Sequence, residues 1–106
     1  MNGFGDVEGL LKQAQKMQQE MNRVQESLKE RVVEGVSGGG TVRVQVNGGL
    51  ELVSIHIDPA VIDPAEREIL EDLVLAAVKQ GMQRARELGK GELSRLTGGL
   101  SLPGIF

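Results

Sequence analysis

Apolar residues recur along the first third of the chain with helical spacing. Between residues 7 and 28 they lie alternately three and four positions apart, the a/d pattern of a heptad repeat. The pattern predicts a helix from about Asp6, as N-cap, to Lys29, long enough to project from a small domain. Its narrow stripe predicts packing against another helix, such as its own copy in a partner. The stripe consists of Val7, Leu10, Ala14, Met17, Met21, Val24 and Leu28.

The next segment alternates apolar and polar residues, which predicts β-strands. Strands are expected at residues 31–37, 41–46 and 50–57. A glycine run at residues 38–40 separates the first two strands, and we expect it to be a flexible hairpin turn. Asn47-Gly48-Gly49 separates the second strand from the third.

The second hairpin suggests a register for the sheet. A tight turn at Gly48-Gly49, where the residues tolerate positive φ, would pair Val44 with Val53 and Val42 with Ile55. This register gathers the β-branched side chains on one face, which we expect to be the core face. The prediction is a three-stranded antiparallel meander with one apolar side.

A second helix is indicated after the strands. Asp63-Pro64-Ala65-Glu66 has the order N-cap, proline at N1 and glutamate at N3, and Gly89 suits a C-cap after about Leu88. The first half of this helix is apolar over a wide arc, which predicts burial on two sides. Residues 91–106 are glycine-rich and are expected to be irregular. The fold class is therefore α+β, an α-β-β-β-α protomer in a single domain of residues 1–106.

Charge is distributed unevenly along this chain. The net charge is −3 and the pI is near 5.2, whereas the usual nucleic-acid-binding domain is basic. Residues 58–72 nevertheless have a local charge of −5, and residues 79–95 a local charge of +3. The second helix is therefore expected to be acidic at its start and basic towards its end.

The cations on the two helices allow two interpretations. They can form an ordinary solvated face, favoured on the second helix by the negative end of the helix dipole. Alternatively they form a phosphate-contacting surface that dimer symmetry doubles. On the first helix they occupy heptad positions that face away from the apolar stripe. The candidate nucleic-acid-binding residues are Lys12, Lys16, Arg23, Lys79, Arg84, Arg86 and Lys90.

Several function classes lack the residues they need. The chain has no cysteine and a single histidine, His56, which argues against a zinc site or a catalytic triad. It has no P-loop, dinucleotide-binding or zincin motif. We expect no enzyme activity, cofactor, metal or small-molecule substrate. The absence of a signal peptide or a long apolar run predicts a cytoplasmic protein that is not in a membrane.

Short motifs in order along the chain resemble one family. The run from Leu11 to Gln18, LKQAQKMQ, is similar to the first-helix signature of the YbaB/EbfC nucleoid-associated proteins. Further similar segments are Val46-Asn47-Gly48, Ile57-Asp58-Pro59, Glu71 to Val74 and Leu102-Pro103-Gly104. Together they cover essentially the whole chain.

The resemblance implies an intertwined homodimer with protruding helices that binds double-stranded DNA with little sequence preference at the nucleoid. It also implies that the helix arms, with the candidate cations above, form the contact surface. The residues alone leave a second hypothesis open. In it the chain is a protein–protein adaptor that uses its glutamine-rich heptad helix and does not itself bind DNA.

Overall fold

The computed structural model describes the backbone of residues 3–96 and the side chains of residues 7–96. It has the predicted α-β-β-β-α order, and the strands form one antiparallel sheet in the order β1-β2-β3. Short 3₁₀ turns follow β1 and precede α2. The elements are α1 (Gly3–Glu30), β1 (Val32–Ser37), β2 (Val42–Asn47), β3 (Leu52–Ile57) and α2 (Arg67–Leu96).

The register of the second hairpin differs from the prediction by two residues. Val44 lies opposite Ile55 and Val42 opposite Ile57, so the predicted pairing with Val53 was wrong. The turn is longer than expected and extends to Leu50. Leu50 has a positive φ (63°), whereas Gly48 and Gly49 do not. A β-bulge beside Val46 absorbs the remaining shift.

Asn47 holds this turn together. Its side-chain oxygen accepts hydrogen bonds from the backbone nitrogens of Gly49 (2.9 Å) and Glu51 (3.0 Å). Gly48 is required for a different reason. Its nitrogen donates to the Leu28 carbonyl oxygen (2.8 Å), and a Cβ there would lie 2.6 Å from the same oxygen. The turn therefore docks the end of α1 onto the sheet.

Helix α2 lies over β1 and β2, with little contact to β3. Val42, Val44 and Val46 of the central strand are fully buried beneath it. At the crossing with β1, Gly35 and Gly81 bring the two backbones together. A Cβ at Gly35 would overlap the Ala77 carbonyl oxygen and lie 2.5 Å from the Gly81 nitrogen.

This placement corrects the predicted core face. Val53 and Ile55 were expected in the core, but they are 53% and 46% exposed. One helix is about 10 Å wide and strands lie about 4.8 Å apart, so a single helix covers roughly two strands. The third strand therefore keeps its apolar face uncovered within one protomer.

Polar side chains of α2 cover the outer edge of β1. Gln80 Oε1 accepts a hydrogen bond from the Val36 backbone nitrogen at 2.7 Å. One turn later, Arg84 Nη1 donates to the Glu34 carbonyl oxygen at 2.7 Å. Backbone groups that an edge strand would leave unpaired are thereby satisfied.

Two predicted helix ends were misplaced, and the cap at Asp63 was correct. Helix α1 begins at Gly3, so Asp6 is inside it and is not its N-cap. Asp63 does cap the turn that leads into α2, since its carboxylate accepts from the Ala65 nitrogen at 3.0 Å. Helix α2 then continues past Gly89 to Leu96.

The extension of α2 is stabilised by packing against the last turns of α1. Glu92 forms ion pairs with Arg31 (2.6 Å) and Arg95 (3.3 Å), and Leu93 lies beside the end of α1. These contacts outweigh the propensity of Gly89 to end a helix. Residues 91–96 of the predicted irregular tail are thus helical, and residues 97–106 lie outside the described part.

The molecule is elongated because α1 projects from the sheet. Its extents are 77 × 22 × 17 Å, and its radius of gyration is 20.4 Å, against about 13 Å for a compact chain of this length. Of the heptad residues, Leu28 is buried, while Val7, Leu10 and Met17 are exposed. The predicted projection is confirmed, and most of the apolar stripe has no partner within the protomer.

Glycine-to-alanine substitutions test the crossing of α2 and β1. Gly35→Ala should lower the free energy of unfolding by about 3 kcal/mol, because backbone atoms cannot move aside as side chains can. Gly89→Ala is the matched control. It should raise stability by about 1 kcal/mol, because nothing lies near its added methyl. Urea unfolding at one protein concentration measures both, and equal effects would contradict the described packing.

The edge contact of Arg84 gives a second prediction. Arg84→Gln should destabilise the protein by about 1 kcal/mol through loss of the bond to the β1 carbonyl. Arg86→Gln removes the same charge two residues away, where the side chain has no described bond, and should change stability by less than about 0.5 kcal/mol. Thermal unfolding of the two variants distinguishes them. A larger loss of stability for Arg86→Gln than for Arg84→Gln would refute the structural role of Arg84.

Candidate nucleic-acid interface

The exposed cations of α1 lie along one side of the helix. Lys12, Lys16 and Arg23 occupy positions i, i+4 and i+11, and Gln19 occupies i+7. At 3.6 residues per turn these four side chains fall within about 60° of arc and span about 16 Å. The apolar heptad stripe lies on the opposite side of the helix. Contact with a ligand on the basic stripe therefore leaves the apolar stripe free.

Helix α2 repeats this arrangement. Lys79, Arg86 and Lys90 occupy i, i+7 and i+11, with Gln83 at i+4, and all four are exposed. This stripe faces away from the sheet, because the buried residues Ala77 and Gly81 lie on the other side of the helix. Each helix thus carries three cations and one glutamine with the same spacing. We call these two sets the basic stripes.

Arg84 does not belong to either basic stripe. Its guanidinium is directed to the edge of β1, where it donates to the Glu34 carbonyl oxygen. The sequence grouped it with Arg86 because the two are neighbours in the chain, but they lie about 200° apart around the helix. The structure therefore gives Arg84 a role in the fold.

The cations of the chain divide into paired and unpaired sets. Of the twelve lysines and arginines, six form ion pairs with carboxylates in the described part of the chain. Arg23 is the only predicted site residue among them, paired with Glu20 at 74% side-chain exposure. Apart from Arg84, the unpaired cations all belong to the basic stripes: Lys12, Lys16, Lys79, Arg86 and Lys90.

Acidic residues gather at the other end of α2. Asp63 caps the preceding turn, Glu66 and Glu68 lie in the first turns, and Glu71 pairs with Arg67 at 3.1 Å. Anions at a helix start interact favourably with its dipole, so they have a structural role. The predicted polarisation along α2 is confirmed.

Sequence reasoning missed the two glutamines of the basic stripes. Gln19 and Gln83 complete the i, i+4, i+7, i+11 pattern, and their amide groups can donate to phosphate oxygens. Gln83 also donates to Glu87 at 3.2 Å. The shared spacing was visible in the sequence, although only a continuous helix past Gly89 aligns Lys90 with Lys79.

The remaining surface offers little for catalysis. His56 is exposed on β3 opposite Arg43. Within residues 7–96, no group of three His, Asp or Glu side chains is placed to hold a metal ion. No helix of the described chain is long and apolar enough to cross a membrane.

Comparisons with known proteins identify the family of this chain. A family model described as the YbaB/EbfC DNA-binding family matches residues 3–100. A nucleoid-associated protein of Caldanaerobacter subterraneus subsp. tengcongensis is 49% identical over 98% of this chain and 93% of its own. One from Clostridium novyi is 47% identical over 100% of this chain and 93% of its own.

A solved structure is also similar. It is that of an uncharacterized protein from Helicobacter pylori, with a TM-score of 0.74 and 28% identity over 92% of this chain and 99% of that one. The fold, the ordered motifs and the near-complete family match lead to one conclusion: the chain belongs to the YbaB/EbfC family, whose members are DNA-binding proteins and not enzymes.

Proposed function

We propose that this protein binds double-stranded DNA at the nucleoid as a homodimer, with little sequence preference, and contacts phosphates through its basic stripes. The observation that carries the proposal is that the unpaired cations are concentrated on two helical stripes of equal spacing. The names of the relatives, nucleoid-associated proteins, support the same conclusion.

The overall negative charge is compatible with phosphate binding. Five of the six carboxylate-paired cations lie outside the basic stripes, while the densest group of acids lies at the start of α2. At physiological ionic strength charges interact over about 8 Å, so a phosphate at a stripe responds mainly to the stripe. The local charge therefore outweighs the net charge.

The side chains of the stripes favour binding that is independent of sequence. Lysine and arginine neutralise phosphates wherever they occur on the duplex, and glutamine can add hydrogen bonds. A stripe of about 16 Å corresponds to about five base pairs along the duplex axis. Nothing in this arrangement inserts a specific set of side chains into the major groove.

The uncovered apolar surface supports a dimer. A groove between α2 and the end of β3 is lined almost entirely by aliphatic side chains, with Arg67 and Glu71 at its rim. It continues onto the exposed face of Ile55, beside the buried central strand. The aliphatic lining residues are Ile57, Leu70, Val74, Leu75 and Val78.

A second copy of α2 is the partner that fits this groove. The first half of α2 is apolar over a wide arc between residues 69 and 78, yet its own sheet covers only part of that arc and leaves Ile69 and Leu75 more than half exposed. An apolar arc wider than one packing surface predicts burial against a second surface. If each α2 lies over the partner's β3, both uncovered surfaces are buried at once, in an intertwined dimer with four basic stripes.

The adaptor function remains the second candidate, because one observation favours it. Val7, Leu10 and Met17 form an exposed apolar stripe on the projecting part of α1 (the arm), opposite its basic stripe. Such a stripe suits a coiled-coil partner. Retention of a specific protein together with no DNA binding at low salt would favour this alternative.

Charge reversal on the arm tests DNA binding. Lys12→Glu/Lys16→Glu should weaken binding to a 30-base-pair duplex at least about tenfold and lower the salt slope, since phosphate contacts are lost. Lys29→Glu/Arg43→Glu is the control, because it makes the same change in net charge at cations already paired with carboxylates. Fluorescence anisotropy at two salt concentrations measures both. If both double variants weakened DNA binding equally, binding would depend on the net charge of the protein and not on the basic stripe of α1.

A charged residue in the groove tests the dimer. Leu75→Glu should convert the dimer to monomer at micromolar concentration, because two buried carboxylates would face the apolar groove across the twofold axis. Ile62→Glu is the control, an exposed residue (56%) outside the groove. Size-exclusion chromatography with light scattering gives the mass. A dimer that survives Leu75→Glu would exclude this interface.

A further inference from the structure

The two edges of the sheet are treated differently. At the β1 edge, side chains of α2 pair with the outward backbone groups of Glu34 and Val36. These contacts block the approach of another strand, as natural sheets commonly do at their edges. The β3 edge has to be considered separately, because α2 makes little contact with this strand.

The hydrogen-bond pattern identifies which backbone groups of β3 point outward. The Asp58 nitrogen donates to the Thr41 carbonyl oxygen at 2.8 Å, so these residues form a hydrogen-bonded pair. Because such pairs alternate along an antiparallel ladder, His56 also directs its N–H and C=O to β2. Ile55 and Ile57 then direct theirs away from the sheet, and no side chain in the described residues caps them.

The sequence of β3 carries none of the usual protection. Leu52–Ile57 contains no lysine, no proline and no carboxylate, which are the residues that commonly prevent edge pairing. The one irregularity, the bulge at Val53, lies at the start of the strand and leaves Ile55 and Ile57 in regular pairing. The edge is therefore open over its second half.

The strand is complementary to a second copy of itself. In an antiparallel pair centred on Ile55, that residue lies opposite its own copy and Val53 lies opposite Ile57, so apolar side chains meet on one face. On the other face Ser54 lies opposite His56. Each such cross-strand pair stabilises an antiparallel ladder.

We propose that the β3 edges of two molecules pair antiparallel about Ile55 and join dimers into chains. The inference rests on the proposed dimer, which uses the apolar faces of the sheet and α2 and leaves this edge free. Two different twofold contacts on every protomer generate an open chain when their axes do not intersect. Neighbouring dimers on DNA would then bind cooperatively. Cooperative binding would let a protein with little sequence preference cover long stretches of DNA.

A charge-swap experiment tests both the contact and its register. Ser54→Lys/His56→Lys places lysine opposite lysine across the pair and should weaken association of dimers at least about tenfold. Ser54→Lys/His56→Glu changes the same exposed residues but places lysine opposite glutamate, and should retain association. Sedimentation velocity without DNA, from micromolar to sub-millimolar protein, measures the species formed.

The outcomes separate this inference from the proposed dimer. A parent protein that never exceeds a dimer, or two variants that associate equally, would overturn the edge contact and leave the dimer standing. If Leu75→Glu still forms dimers and adding Ser54→Lys/His56→Lys makes them monomers, the edge is itself the primary interface. The pairing of β3 edges would then be supported, and the proposed dimer through the apolar groove would be excluded.

Discussion

The close approach of α2 to β1 is the contact on which the rest of the structure depends. Gly35 and Gly81 lack side chains, so the helix backbone rests on the strand at a distance that any Cβ would prevent. At this distance the valines of β2 are sealed beneath the helix, and Gln80 and Arg84 reach the outer edge of β1. The same position leaves β3 uncovered, which creates the apolar surface that a partner subunit can bury.

The orientation of α2 also decides how the charges are presented. With its small residues against the sheet, the helix turns Lys79, Arg86 and Lys90 outward. At the far end, Glu92 joins α2 to Arg31 at the end of α1, while Gly48 holds the last turn of α1 against the hairpin. The projecting arm is therefore anchored at its base from two sides. An acidic protein can present basic stripes because, among the described residues, five of the six cations outside the stripes pair with carboxylates, whereas five of the six within the stripes do not.

The candidate site was largely visible in the sequence. Lysines at helical spacing on the side opposite the apolar stripe are a local property, so Lys12 and Lys16 could be assigned to the arm without coordinates. Arg84 could not be separated from Arg86 in this way, because its bond to Glu34 joins residues fifty positions apart. The glutamines of the stripes were missed because their importance comes from alignment with the cations.

Local pattern determined the order of elements, the heptad helix, the alternating strands and the cap at Asp63, since each depends on neighbouring residues. The tertiary structure decided the features that depend on distant contacts. These are the strand register, set by a turn with its positive φ at Leu50, and the continuation of α2 beyond Gly89, stabilised by Glu92. The exposure of Ile55 also depends on tertiary structure. The alternation of residues in β3 shows which face of the strand is apolar, but only packing decides whether a helix covers that face.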